Sequence, residues 1–540
     1  MPHRSGKSRL QFGLFATPLE EMIALDNPVR VIDAFVDVLD MNSLGFVLAK
    51  AKNRGAPAYE PALLLKIYLY GYLNRVRSSR RLETECGRNI ELIWLTGHQQ
   101  PSYHTIATFR SRQEHRKALK DVFRMFNRFC QRLELFGKTL VAIDGTKISA
   151  QNSKKNNITE DKIARKLERL DKTFEAYLDE LDVADAAGLS EEEFNRDAVF
   201  QAMEELIQRE ELLLDLDEKL QQAQADEPTT MQLSLTDPDA RMLPLNNEGM
   251  MGVGYNIQSA VDDKHCLVAH FEVTNTKDDY QLAPVTIATK NELGVHALTV
   301  LADKGYHTGV ALQACADNEI ITYVAVPEYG YSGKTKGFRK EDFKYDAERD
   351  AYICKAGKQL TTNNQWYEKH GRNGQFQYRF KRYTAAYRTC EACPFAVDCL
   401  SDSNVAHSHG RNLERSEFEE AVVANRQRIL YNRIVYRRRQ AIVEHPFGTI
   451  KRSWGFHYTL LKGKAKVEAE YSLVFLAYNL RRALTILGAK GLIEWLNAII
   501  FEKFAFSRST KDQSAGQTSS LMSNLVMQQV GQLEFNKIRA

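Results

Sequence analysis

Two apolar runs that each stop at a carboxylate constrain this chain more than any other feature. TLVAIDGTKISAQNS at 139–153 places Leu140, Val141 and Ile143 in a β-strand closed by Asp144-Gly145. LTVLADKGYHTG at 298–309 does the same with Leu298, Val300 and Leu301, closed by Asp303-Lys304-Gly305. One such ending is an ordinary turn, since Asp and Gly are common where strands stop. Two of them suggest carboxylates gathered at one edge of a sheet, where open α/β sheets place their ligands. Carboxylates held together repel each other, and a divalent cation with oxygen ligands, Mg²⁺ above all, relieves that repulsion.

The surrounding pattern predicts how the sheet is built. Residues 1–137 read as a helical N-terminal domain: PALLLKIYLYGYL is a core helix, Gly97 a C-cap and Ser102 an N-cap. Its short helices have a weak helix-turn-helix character, with DNA contact expected near Ser102–Arg112. Residues 152–228 read as an inserted helical hairpin, with Ile163, Leu167, Leu170, Phe174 and Leu178 on one seam and Met203, Leu206, Leu213 and Leu220 on the return arm. Gly188 marks its loop, and Ser190-Glu-Glu-Glu193 restarts the helix as a capping box. GYNIQSAVDD and HCLVAHFEVTN are two strands around an Asp262-Asp263-Lys264 turn, followed by a helix ending at Gly294, the strand to Asp303, a helix and a last strand. The fold class is therefore α/β, an RNase H-like mixed sheet with flanking helices, over 138–328 plus 430–490. Residues 330–425 form a second insertion of short strands with a Cys cluster, and 491–540 a C-terminal tail that is loosely ordered after Phe506.

Charge points to the partner. Residues 160–227 carry 22 acidic and 8 basic residues, a net of −14, which leaves +18 on the rest of a chain whose total is +4. A basic body fits nucleic acid. There is no apolar run long enough to span a bilayer, and MPHRSGKSRLQFG lacks a signal-peptide core, so a cytoplasmic, nucleoid-associated protein without membrane contact is expected. Eight Cys in such a compartment are reduced thiols or metal ligands.

A third acid is expected from a helix after the sheet. Between Arg426 and Arg452 eight Lys/Arg residues surround one acidic residue, Glu444, with Val443, Phe447 and Ile450 forming an apolar edge. Glu444 and Lys451 are seven apart, hence on nearly one helical face. Pro446 and Gly448 should bend or restart the helix.

With Asp144 in AIDGTKISAQNS, Asp303 in LADKGYHT and Glu444 in YRRRQAIVEHPFGTIKRSWGF, the chain resembles bacterial insertion-sequence transposases of the DDE class, in the branch with a Tyr-Arg-Glu-Lys signature. TDPDARM and GYNIQSAVD strengthen the likeness, which covers about residues 15–490. One departure stands out: Tyr436, Arg439, Glu444 and Lys451 are spaced Y-x2-R-x4-E-x6-K, one residue longer before Glu than the commonest form, so Arg437 or Arg438 can take the Arg role. The resemblance implies catalytic and metal-binding roles for Asp144, Asp303 and Glu444, with two Mg²⁺ (or Mn²⁺) ions driving strand cleavage and strand transfer. Asp144 would bridge both ions. It also implies double-stranded DNA partners, the element's terminal inverted repeats and a target, bound by a homodimer. Tyr436, Arg437, Arg438, Arg439, Lys451 and Arg452 are candidate DNA-binding residues. Trp454 reads as a core residue, with stacking on a displaced base as the alternative. The other function class is a transposase-derived DNA-binding regulator without cleavage.

Cys390-x2-Cys393-x5-Cys399, with Cys354 upstream, supplies four thiols for a structural Zn²⁺ that would staple the insertion, with His407 or His409 competing for a ligand position. Cys86, Cys130, Cys266 and Cys315 are expected in the core.

Overall fold

The computed structural model describes residues 18–47, 58–153, 156–188, 190, 194–226, 232–245, 250–327, 338–371, 376–400 and 402–511. The chain forms two compact units, 1–125 with 472–540, and 126–471.

The first unit holds α1 (Pro28–Asp37), α2 (Pro61–Leu73), α3 (Ser79–Arg88), α4 (Ile90–Thr96), α5 (Tyr103–Ser111) and the start of α6 (His115–Arg132). Asn27, Ser78, Asn89 and Ser102 cap α1, α3, α4 and α5 by accepting first-turn N–H bonds. Gly97 closes α4 in the left-handed conformation (φ 57°), as its position predicts. α2 buries Leu64, Leu65, Ile67, Tyr68, Leu69, Tyr70 and Tyr72, as a helix apolar on every side must. Arg110, in the segment expected to touch DNA, is instead buried, its Nη1 donating to Tyr72 Oη at 2.8 Å. That leaves Ser102, His104 and Thr108 exposed along α5.

The second unit is built on β1 (Leu140–Ser149). Next come β2 (Asn157–Ile158), α7 (Glu160–Ala186), α8 (Arg196–Asp226), β3 (Leu233–Ser234), β4 (Arg241–Pro244), β5 (Met251–Asp262), β6 (Val268–Thr274), α9 (Leu282–Leu293), β7 (Leu298–Ala302), α10 (Gly309–Asp317) and β8 (Ile320–Val324). β5 pairs antiparallel with β1 on one edge and with β4 and β6 on the other, while β7 and β8 extend the sheet parallel to β1. The spatial order is therefore β6 (with β4), β5, β1, β7, β8. The facing stretches of β1 and β7 bury their apolar residues completely: Val141, Ala142, Ile143, Val300 and Leu301 are all 0% exposed. Burial on both faces explains why they read as continuous apolar runs.

α7 and α8 pack against each other as a helical hairpin, clipped at its base where β2 pairs with β3. Ile158, Ile163, Leu213, Leu220 and Leu233 make its own small core, with Leu167 and Leu170 packed against it. Leu178 departs from the expected seam and is exposed. The capping box falls on Glu191–Glu193, which lie outside the described residues.

A second, antiparallel sheet follows from β9 (Lys344–Asp346), β10 (Ala351–Ile353), β11 (Gln359–His370), β12 (Phe376–Thr384) and, after α11 (Tyr387–Glu391), α12 (Ala396–Cys399) and α13 (Asp402–Ala406), β13 (Asn412–Ser416). Phe343, Tyr352, Leu360, Tyr383 and Leu413 form its core. The expected end of this insertion, residue 425, falls inside α14 (Glu419–Tyr431). That helix belongs to the first sheet. Asn425 accepts from the Val324 N–H (2.9 Å) and donates to the Val324 carbonyl (2.8 Å), so an amide side chain closes the β8 edge.

α15 (Arg433–Phe447) lies against β1, β5 and β7. It passes through Pro446 and runs on into a π-helical turn, Gly448–Ser453. The expected bend or restart is thus a change of helix type beyond Pro446. α16 (Lys464–Lys511) breaks at Gly488 (φ 71°, ψ 165°), and the division of the units at residue 471 falls within it, splitting the expected 430–490 segment. The tail beyond 511 lies outside the described residues. No helix among the described residues is long and apolar enough to cross a membrane.

Candidate active site

Strand register carries the site. Parallel pairing of β1 with β7 matches Leu140, Val141 and Ala142 to Thr299, Val300 and Leu301. Two residues further along, the same register sets Asp144 beside Asp303, on strands about 4.8 Å apart. Asp144 stays within β1 and takes the Gly145 N–H on its own Oδ1 at 2.9 Å. Asp303 ends β7 and caps a 3-10 turn, accepting from the Gly305 N–H at 2.8 Å. Burial pushes the Asp144 carboxyl up to about 6, Arg439 opposes this, and the charges of Asp303 and Asp278 add to it. Two strand-end carboxylates stand side by side here, and hard oxygen donors are what a divalent cation takes.

Arg439 is the nearest cation. Its Nη1 lies 3.7 Å from Asp144 Oδ2, an ion pair too long for a hydrogen bond, and that nitrogen is buried with no hydrogen-bond partner among the described residues. The residue expected on DNA phosphate therefore faces Asp144. Its neighbour Arg438 turns to the β5 side and pairs with Asp263. Glu444 sits five residues, or about 140° of helix, beyond Arg439. It is exposed and accepts from Gln440 Nε2 at 2.8 Å. With Arg438 on one flank of α15 and Arg439 inward, Gln440 and Glu444 occupy the opposite flank. The extra residue in the signature spacing has this effect: Gln440, not Arg439, stands one helical turn before Glu444.

Lys451 is half-buried, donating to Thr146 Oγ1 and the Lys147 carbonyl, both at 3.0 Å, and burial lowers its ammonium pKa. It buttresses β1 next to the acids. Arg437 and Arg452 are exposed and Tyr436 is half-buried. Trp454 is 6% exposed and packs edge-on against Phe456, the core position that its sequence context favours.

Sequence reasoning missed Asp278. Its Oδ1 accepts from Asn256 Nδ2 (2.8 Å) and Gln258 Nε2 (2.7 Å), and its Oδ2 from Lys147 Nζ (2.6 Å). Tyr306, fully buried, donates its hydroxyl to Gln258 Oε1. The signal was TKDDYQ, where an acid between a strand and a helix looked like a helix start.

The four thiols expected to bind zinc share one end of the second sheet. Cys354 and Cys399 pack against its core, and the Lys358 N–H points at Cys354 Sγ (3.3 Å). Burial raises the Cys399 thiol pKa, Arg411 lowers it, and Cys390, Cys354 and Cys393 raise it further. Among the described residues no three His, Cys, Asp or Glu side chains converge tightly enough to hold a metal ion, here or at Asp144. Cys86, Cys130 and Cys315 are core residues as expected; Cys266 is not, because it sits half-exposed with φ 56° beside the β5–β6 turn.

Residues 17–112 match a transposase domain (DUF772), and residues 353–484 match a transposase DDE domain, a range that holds Glu444, Lys451 and all four thiols. The class is thus that of transposases. More narrowly, the two matches support a DDE transposase of an insertion sequence. No curated protein and no solved structure matches it.

Proposed function

We propose that this transposase binds the terminal inverted repeats of its element and cuts and joins DNA strands with divalent metal, Mg²⁺ or Mn²⁺, held by Asp144, Asp303 and Glu444. The observation that carries the reading is the β1/β7 register with α15 laid across those strands. The strand order, three antiparallel strands followed by two parallel ones, agrees with an RNase H-like fold. The two strand-end acids fit a hard cation; Glu444, exposed on the outer side of α15 and bonded to Gln440, would join them only with a rotation of α15. Bound metal would lower the pKa of an attacking water or 3′-hydroxyl and stabilise the leaving oxygen. The chain itself aligns the acids, keeps Arg439 beside Asp144 and offers Arg437 and Arg452 to phosphates, on one DNA complex per homodimer. With all three acids present, nothing favours a regulator without cleavage.

The test is nicking of end-sequence DNA by Asp144→Asn, Asp303→Asn and Glu444→Gln proteins. Each is expected to lose cleavage by at least about a hundredfold, several kcal/mol of transition-state stabilisation, while binding DNA. Near wild-type nicking by Glu444→Gln would remove that residue from the site.

We also propose a structural zinc ion at Cys354, Cys390, Cys393 and Cys399, which would have to draw the thiols closer together. Elemental analysis of chelator-free protein is expected to give about one zinc per chain. Metal-free protein with four freely reacting thiols rejects it.

A further inference from the structure

Asp278 is the acid the strand-end pattern does not announce, and its surroundings are built for it. It stands between the glycines that follow the two catalytic acids. A Cβ on Gly145 would lie 2.5 Å from Asp278 Oδ1, and one on Gly305 would lie 3.7 Å from Asp278 Cβ. Three side chains from β1 and β5 aim donors at it, and Tyr306 fixes the Gln258 amide so that its NH₂ faces the carboxylate. Among the described residues Oδ1 takes two of these bonds and Oδ2 one, which leaves Oδ2 a lone pair for a further partner. Such a carboxylate, beside two other acids and only partly exposed, adds repulsion at Asp144. Lys147 offsets part of it.

We propose that Asp278 is a fourth carboxylate of this centre, a positioning residue that orients the water shell of the cation held by Asp144 and Asp303, with Lys147 as the competing internal cation. This rests on the metal reading of those two acids. Outer-shell partners of a metal typically contribute 10- to 100-fold in affinity. The two substitutions then act in opposite directions. Asp278→Asn weakens metal binding, whereas Lys147→Gln frees Oδ2 and tightens it.

The experiment is Mn²⁺ binding to the full chain, followed by electron paramagnetic resonance without DNA, with a thermal melt of each protein in the absence of metal. Asp278→Asn is expected to bind Mn²⁺ about tenfold more weakly. Asp278→Glu is expected to recover part of that loss, and Lys147→Gln to bind more tightly than wild type. A purely structural role would lower the melting temperature of both Asp278→Asn and Lys147→Gln and move their Mn²⁺ affinity the same way. That result, or unchanged affinity in Asp278→Asn, overturns the proposal. Should Asp278→Asn fail to fold, the sign of the Lys147→Gln change decides. Asp144→Asn is the separate control: if it binds Mn²⁺ like wild type, the metal reading itself fails, whatever Asp278 does.

Discussion

Gly145 shows how closely single residues are fitted at the site. A methyl group there would lie 2.4 Å from Gln258 Nε2, 2.5 Å from Asp278 Oδ1 and 2.7 Å from Asn256 Oδ1. All three belong to a bonded network that cannot step aside freely. Gly145→Ala is therefore expected to destabilise the fold by about 1–3 kcal/mol, read from urea denaturation. Gly448→Ala is the control, since a Cβ there meets nothing within 4 Å, and alanine in a helical position favours the fold by up to about 1 kcal/mol. Equal effects at the two glycines would remove the argument from crowding. At this scale the sequence was legible where chemistry and local structure coincide. Asp144 and Asp303 end apolar strands, and caps such as Ser102 and Gly97 follow from backbone rules. Asp278 and Gln440 were not legible, because each acts on a partner distant in sequence or displaced by one helical step.

Elements are joined by contacts that periodicity cannot reveal. β6 and α9 meet at His270, whose ring lies between Glu292 (Nδ1, 3.1 Å) and Glu272 (Nε2, 3.3 Å). Burial opposes its charge, but the two carboxylates outweigh burial and hold its pKa above the ordinary histidine range. A raised histidine pKa means that the folded state binds the proton more tightly than the unfolded one. Its stabilising contribution is full below pH 6.5, the ordinary value, and is lost as pH rises through the folded pKa. His270→Asn should flatten the stability profile above pH 6.5, followed by denaturation midpoints from pH 6 to 9. A mutant profile parallel to wild type would mean that the imidazole does not titrate between those acids. The sequence predicted the strand HCLVAHFEVTN and the helix ending at Gly294, but not their electrostatic join, since 22 residues separate His270 from Glu292. The same reason hid α14, whose place on the β8 edge depends on Asn425 and not on an amphipathic stripe.

For the whole molecule, the main electrostatic fact is the separation of charge between the hairpin and the rest. Residues 160–227 carry a net −14 against +18 elsewhere. The hairpin has its own core and leaves the sheet through the β2–β3 pair, so it can be removed without cutting the β1–β5–β7 core. A protein in which a short glycine linker replaces 160–227 should fold, with an unchanged near-ultraviolet circular dichroism signal from its aromatic core. Its net charge would then be +18. Binding to non-specific duplex should strengthen at low salt, where the Debye length reaches roughly 30 Å at 0.01 M, and converge on wild type near physiological salt, where it is about 8 Å. Direct phosphate contacts behave differently. Arg452→Ala should lower the slope of log K against log salt by about 0.9 if it removes one contact. Filter binding of scrambled duplex across a salt series separates the two effects. Equal affinity of the shortened and full-length chains at the lowest salt would mean that the hairpin's charge is not felt at the DNA, and its acidity would then be no more than a solvated face.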